Sequence, residues 1–245
     1  VMLTQKKIMN QLNGKLIYWT SGFKNVLEKT NWYAVILDKF TPVEEIKSEN
    51  TRSKIRRGLK NSEVKKIDAD EMIKNGYDVY EEANKKYKSK KIIERRKFNS
   101  RFEVTKKYED LVDYWGVFHK NKLVAYTEVL KYDNIEANYS AIKFSPDFMK
   151  YYTSYAMIYK MNEHYLRDKN FSYVNDGFRS IYHKTSIQEY LIDKFSFEKK
   201  KTNLFVQYNF SINAILKITK SLKFLHSILD NRIKALIELD KLRIK

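Results

Sequence analysis

The chain has 245 residues, 43% hydrophobic and 15% aromatic, which is enough apolar material for a real core and too much for a disordered chain. It has no cysteine, which excludes disulfides, thiolate metal sites and a cysteine nucleophile. The formal net charge of +18 raises the local concentration of anions: nucleic acid, acidic lipid head groups or phosphorylated cofactors. A lysine-rich coding bias gives the same composition with no anionic partner.

The histidines, His119, His164, His183 and His226, lie too far apart for a local metal motif, so no metal is expected. No run of roughly 18 apolar residues offers a spanning helix. No signal-peptide pattern is visible at the start, and a cytoplasmic protein is expected, with the inner membrane face as a further station.

In chain order, a short helix-like start leads to two aromatic and β-branched runs at 15–19 and 32–37, which read as strands. The stretch 21–29 between them is compatible with a short helix. From 43 to 60 the pattern becomes helical, with Ile46, Ile55 and Leu59 as a sparse stripe among Lys54, Arg56, Arg57 and Lys60. A short strand at 64–67 and a helix at 69–87 follow. The run 85–107 is dense in Lys and Arg and reads as a solvated helix, or as a loop that orders on an anion.

From residue 108 the pattern is cleaner. A short helix is expected at 108–112, then a strand at 114–119, a tight turn at Lys120-Asn121-Lys122, and a returning strand at 123–130. Asp133-Asn134 makes a second turn into a strand at 135–143. A long amphipathic helix at 152–169, a strand at 171–176, a helix at 186–195 capped by Thr185, and a strand at 202–208 complete the set. The order implies an α+β fold, a mixed and mostly antiparallel sheet flanked by helices. The tail from 211 to 245 reads as one basic amphipathic helix with leucines near heptad spacing. It suits dimerisation, an anionic membrane surface or packing back on the domain.

Three segments carry a resemblance to a known superfamily. Asn50-Thr51-Arg52-Ser53-Lys54-Ile55-Arg56-Arg57-Gly58-Leu59-Lys60-Asn61 looks like a basic element that precedes a strand. Trp115 to Tyr126 is similar to a pair of strands reading G-x-x-x-x-G-x-L-V-A. Tyr173-Val174-Asn175-Asp176-Gly177-Phe178-Arg179-Ser180, leading to Phe195-Ser196-Phe197, resembles a strand ending in an acidic-glycine pair followed by a K-F-G-F turn, with Ser196 in place of glycine. Together they resemble the GNAT acyltransferases, and within them the FemAB-like branch.

The resemblance implies one GNAT-like domain over 1–208, with N-terminal strands, basic helix and charged segment to 107 and the core sheet from 108, and the basic helix 209–245 outside it. It also implies an acyl- or aminoacyl-transferase acting on an amine or hydroxyl of a sugar, peptide or cell-envelope precursor. The donor it implies is acyl-CoA or aminoacyl-tRNA, so tRNA is an expected partner. Acyl-CoA members hold the pyrophosphate on a glycine loop at a helix start. Here that place reads Lys150-Tyr151-Tyr152-Thr153-Ser154-Tyr155, with no glycine, so Lys150, Thr153 and Ser154 are the candidate cofactor contacts. For the chemistry, the densest polar group is Asp176, Arg179, Ser180, Tyr182, His183, Thr185 and Gln188, where a strand gives way to a helix. Asp176 suits a base, Arg179 an anion clamp and His183 a proton shuttle. Tyr182 and Gln188, with Glu128 and Tyr139 on the central strands, are candidate substrate contacts. Each has an ordinary structural alternative: a turn cap, an ion pair or a solvated strand face. A nucleic-acid-binding module and a catalytically silent interaction protein are the competing readings.

Overall fold

The structure is a computed structural model that describes residues 2–85, 92–181, 186–221 and 229–244. Its helices and strands, in chain order, are α1 (Met2–Gln11), β1 (Leu16–Thr20), β2 (Tyr33–Leu37), α2 (Glu49–Asn61), β3 (Glu63–Ile67), α3 (Ala69–Glu71), α4 (Tyr77–Lys85), α5 (Arg95–Thr105), β4 (Val112–His119), β5 (Lys122–Tyr132), β6 (Glu136–Phe144), α6 (Thr153–Asn162), β7 (Tyr173–Phe178), α7 (Ser186–Phe195), β8 (Glu198–Lys201), β9 (Leu204–Tyr208), α8 (Phe210–Ser221) and α9 (Asn231–Leu242). A π-helical turn, Met72–Gly76, joins α3 to α4, and another, Glu163–Asp168, extends α6. Among the described residues no helix is long and apolar enough to cross a membrane.

The chain divides into two compact units. The larger comprises Ile36–Gly177 and Tyr190–Phe197; the smaller comprises Val1–Val35, Phe178–Glu189 and Glu198–Lys245. In the larger unit β3, β4, β5 and β6 pair antiparallel in that order, and β7 joins β6 in parallel. Both hairpin turns anticipated from sequence form. Lys120 and Asn121 take φ of 47° and 64°, and Asp133 and Asn134 take 49° and 53°, left-handed pairs whose backbone twist matches that of the flanking strands.

Helices cover both faces of this sheet. On one, Tyr114 and Tyr126 point into a core built with Met72, Tyr77, Phe98 and Phe102 from 72–102. On the other, Trp115 and Tyr139 meet α6 and its π-helical extension. The Trp115 Nε1–H donates to Tyr165 Oη at 3.0 Å, and the Tyr139 hydroxyl donates to Asn162 Oδ1 at 2.7 Å. Tyr165 in turn donates to the buried Asp113 carboxylate at 2.7 Å, which also takes Lys66 Nζ at 2.7 Å and Lys131 Nζ at 2.9 Å. Burial alone would raise the Asp113 carboxyl, but the donors from Lys66, Tyr165 and Lys131 outweigh it and hold it below the usual range. A charge inside the sheet layer is thereby paired twice and hydrogen-bonded.

α2 packs across the start of α6. Ser48 caps α2 by accepting from Thr51 N at 3.2 Å, and Thr51, Ile55 and Gly58 form its buried stripe. Gly58 is required by proximity: a Cβ there would lie 2.6 Å from the Tyr152 carbonyl oxygen and 3.2 Å from Ala156 Cβ.

The smaller unit pairs β1 with β9 antiparallel, Leu16 opposite Tyr208, and gathers Trp32, Leu204, Val206, Tyr208, Leu216 and Ile237 into its own core. β2 straddles the division, with Ile36 and Leu37 in the larger unit and its first three residues in the smaller.

Several elements differ from the sequence reading. Residues 21–29 form turns with no helix, and β4 begins at Val112, where a helix was expected over 108–112. The charged run is no merely solvated segment: α5 lies within it, with Phe98 and Phe102 at 0% and 1% exposure, so two aromatics anchor a helix whose other faces are basic. Residues 86–91 of that run lie outside the described residues. Among the described residues the tail carries α8 and α9, each with a residue in the smaller unit's core, and α9 starts afresh at the Asp230 cap, where one continuous helix was expected; residues 222–228 lie outside the described residues.

Replacing Gly58 by Ala gains helix propensity of about 1 kcal/mol but drives a methyl into a backbone carbonyl, a class of overpacking that costs about 1–3 kcal/mol. The collision with immovable backbone is expected to win, and thermal unfolding of Gly58→Ala should show a lower Tm, with Gly58→Val lower still.

Candidate active site

β6 and β7 pair through Glu136–Tyr173, Ala137–Val174 and Asn138–Asn175, and the ladder ends there. Tyr139 and Asp176 are the first residues beyond the last pair. Strand alternation puts both on the α6 face, while Glu136, Tyr173 and Asn175 share the opposite face. The β7-facing edge of β6 beyond this point has backbone donors and acceptors with no ladder partner in β7, which is a natural seat for a ligand.

Asp176 is partly buried, and that burial pushes its carboxyl up to about 7. A carboxylate tuned to neutrality can both take and return a proton at physiological pH, as a general base requires. The Tyr139 hydroxyl is raised well above its ordinary value, by burial first and by the charge of Asp176 second, so it stays protonated and holds Asn162. Asn162 also lines a small cavity of about 20 Å³ with Leu37, Tyr159, Lys194, Phe195 and Ser196, room for a single water.

The other described candidates take their own partners. Glu128 lies on the face opposite Tyr139, where both carboxylate oxygens accept from Arg101 Nη2 of α5 at 3.0 Å; burial raises its carboxyl and the Arg101 charge opposes that. Arg179 and Gln188 belong to the smaller unit. Arg179 Nη1 donates to the Asn31 carbonyl at 3.1 Å, and Gln188 Nε2 donates to the Phe178 carbonyl at 3.2 Å. Tyr182 and His183, with Thr185, lie outside the described residues.

At the start of α6, Thr153 and Ser154 are both buried. The Ser154 hydroxyl accepts from Tyr190 Oη at 3.1 Å, and Thr153 Oγ1 lies 4.0 Å from the Met149 sulfur. Tyr152 takes the left-handed conformation, φ 62°, and the N–H groups of Tyr155 and Ala156 both bond its carbonyl. The helix end is thus packed against α2. Lys150 stays exposed, its ammonium 5.4 Å from the Tyr151 ring centre.

Around this end the larger unit carries a basic face interleaved with aromatic rings, which the sequence reading did not assemble. Arg57 lies 4.6 Å over the Tyr152 ring, Lys54 5.5 Å over Tyr155, and Lys122 5.2 Å over Phe148. His119 stacks on Tyr151 at 4.2 Å and bonds the Asn61 carbonyl at 2.8 Å. Beside them a polar groove of about 360 Å³ runs between Leu59–Glu63 and Phe118–Asn121, with Lys60 and Lys120 in its lining. Lys54, Arg57, Lys60, Lys120 and Lys150 have no carboxylate within ion-pair distance among the described residues. Lys54 and Arg57 were visible on the basic helix, but their aromatic partners, Tyr155 and Tyr152, lie about a hundred residues further along.

No family model and no curated protein matches the chain. Solved structures do. FemX matches with a TM-score of 0.57 at 11% identity, over 84% of this chain and 68% of that one. The C-terminal domain of a protein named as a lysylphosphatidylglycerol synthetase, from Agrobacterium fabrum, matches with a TM-score of 0.51 at 12% identity, over 86% and 67%. A conserved protein of unknown function from Bacteroides thetaiotaomicron matches with a TM-score of 0.50 at 12% identity, over 82% and 65%. The likeness is one of fold. The fold is GNAT-like, a mixed and mostly antiparallel sheet flanked by helices, as its order of elements implied. The chain spans about two thirds of the length of these structures.

A carboxyl raised by burial binds its proton more tightly in the folded state. Its stabilising effect is complete below the unfolded value of 3.8 and is lost as pH rises through about 7. Asp176→Asn removes that loss. The variant is expected to be more stable than the parent by about 1–2 kcal/mol at pH 8, after allowance for partial solvent screening, and to gain little at pH 3. Urea unfolding at the two pH values measures it; an equal effect at both would contradict the raised carboxyl.

Proposed function

We propose that the chain transfers an aminoacyl group from a charged tRNA to an amine or hydroxyl acceptor, with Asp176 as the proton acceptor. The acceptor class remains that implied by the sequence resemblance: a sugar, peptide or cell-envelope precursor. The observation that carries the reading is a carboxyl raised to about 7, at the point where the parallel pair of β6 and β7 stops pairing.

In the transfer, the acceptor nitrogen or oxygen attacks the ester carbonyl of the donor. The new C–N or C–O bond forms as the ester C–O bond to the ribose breaks. Asp176 takes the proton lost by the nucleophile and returns it to the leaving ribose oxygen, so protons balance over the cycle. Tyr139, protonated and tied to Asn162, holds the wall of the site beside it.

Two observations favour a nucleic-acid donor over coenzyme A. Thr153 and Ser154 are buried in side-chain packing at the helix end where a pyrophosphate would dock. The basic face supplies cations for a phosphate backbone and rings for unstacked bases, the pairing that single-stranded nucleic acid selects. The name of the Agrobacterium fabrum structure, which joins an amino acid to a lipid, agrees with aminoacyl transfer. The same face also supports a second reading, an RNA-binding module without chemistry.

A ligand that binds only the folded state raises Tm by mass action. Charged tRNA is expected to raise Tm and acetyl-CoA to leave it unchanged; the reverse would reject the donor assignment. The double substitution Arg57→Ala, Lys120→Ala should weaken tRNA binding and reduce the salt dependence, log K against log salt, by about one unit for each phosphate no longer neutralised. Asp176→Asn should slow aminoacyl transfer about 10²–10⁴-fold with tRNA binding intact. Binding with no transfer by the parent protein would leave the module reading standing instead.

A further inference from the structure

Glu136 was not among the sequence candidates, yet its carboxylate holds the parallel strand pair together on the face away from Asp176. One oxygen accepts from Tyr173 Oη at 2.6 Å and the other from Asn175 Nδ2 at 2.5 Å. Both partners are on β7, so the side chain ties β6 to β7 over the last residues before the ladder ends. Burial first, and then the bond to Glu136, raises the Tyr173 hydroxyl above its ordinary value, which keeps it a donor.

The Asn175 amide passes this tie along the strand. A carboxylate only accepts, so it engages the NH₂ end of the amide and turns the carbonyl end the other way. That carbonyl, Asn175 Oδ1, accepts from the Gly177 N–H at 2.8 Å, a turn in which an asparagine side chain bonds the backbone two residues on. Gly177 takes φ +79°, a left-handed conformation that glycine adopts without cost. A Cβ at Gly177 would meet nothing within 4 Å, so the backbone angle and not space demands glycine. Asp176 is the residue enclosed by this turn. Its two flanking residues are fixed, one by Glu136 and the other by Asn175, and its own side chain emerges on the α6 face.

We propose that Glu136 is a positioning residue that orients the Asn175 amide, sets the turn at Gly177 and so fixes where the Asp176 carboxyl sits. Glu136 touches neither substrate nor the reacting atoms; it acts through Asn175. The inference rests on the reading of Asp176 as the proton acceptor, and it adds the device that holds that acceptor at the end of the strand ladder.

Two NMR readouts separate the clamp from the base. Amide hydrogen exchange at Gly177 reports the turn, and the carbon-13 shift of the Asp176 carboxyl against pH reports its surroundings. In Asn175→Ala and Glu136→Ala the Gly177 amide should exchange about tenfold faster, as expected for loss of one hydrogen bond. The Asp176 midpoint should fall by about one unit or more, towards the ordinary range, as water gains access. Asn175→Ala changes no charge, so a fall there comes from position and not from a lost neighbouring anion. Tyr173→Phe keeps the Asn175 bond and should leave Gly177 exchange close to the parent's. If Glu136→Ala fails to fold, Asn175→Ala and Tyr173→Phe still carry the comparison. An unchanged Gly177 exchange and Asp176 midpoint in Asn175→Ala overturns the clamp and leaves the base reading intact. A parent Asp176 that titrates near 4 while Gly177 exchange responds as expected overturns the base reading and leaves the clamp as a structural tie alone.

Discussion

β6 and β7 run side by side for three residue pairs and then cease to pair, and the candidate site grows out of that ending. Parallel strands cannot be joined by a tight turn, so the chain must leave the sheet, cross one face and return. Here that crossover is α6 with its π-helical extension, which covers the face bearing Tyr139 and Asp176. The same connection therefore supplies the wall of the site and the contacts that hold the sheet flat against it. Where the ladder stops, backbone groups lose their partners and two side chains gain a shared space.

Two polar ties keep this region in register, and they act on opposite faces. On the α6 face, Asp113 gathers Lys66, Lys131 and Tyr165, with Trp115 donating to Tyr165 behind it. On the other face, Glu136 takes Tyr173 and Asn175. Each carboxylate is met by hydrogen-bond donors, and this is what allows charge to sit within or beside a packed sheet at tolerable cost. Asp176 differs from Asp113 in the direction of its shift. Burial dominates its surroundings and lifts its carboxyl to about 7, whereas the donors around Asp113 drive that group down. Asp113 and Asp176, two acids of one sheet, are thus driven in opposite directions by their surroundings.

The close crossing of α2 on α6 has a functional side as well as a packing one. Because Gly58 admits the Tyr152 carbonyl so closely, α2 brings Lys54 and Arg57 over the aromatic rings at 152–155. The hairpin at Lys120-Asn121 meets the other end of α2 across the polar groove. A cation over a ring is held partly desolvated and still exposes an edge to an incoming phosphate. Part of the chain's charge is thus organised with aromatic side chains at this end of the larger unit.

The sequence by itself determined most of the sheet-and-helix order and both hairpin turns, and it offered Asp176 as one member of a polar cluster running to Gln188. Those features are local: alternation, Asn and Asp at left-handed turn positions, and an acidic residue before a glycine. The anchoring of α5 by Phe98 and Phe102 was hidden, because two aromatics within a dense run of Lys and Arg carry little periodic signal. Among the described residues of the tail, α8 and α9 each pack apolar side chains into the smaller unit's core. What only the tertiary structure decided was which residues meet: Glu136 with Asn175, Tyr139 with Asn162, Arg57 with Tyr152. Each of these pairs joins distant parts of the chain, and their meeting depends on sheet register and on the close helix crossing that Gly58 allows, neither of which local patterning encodes.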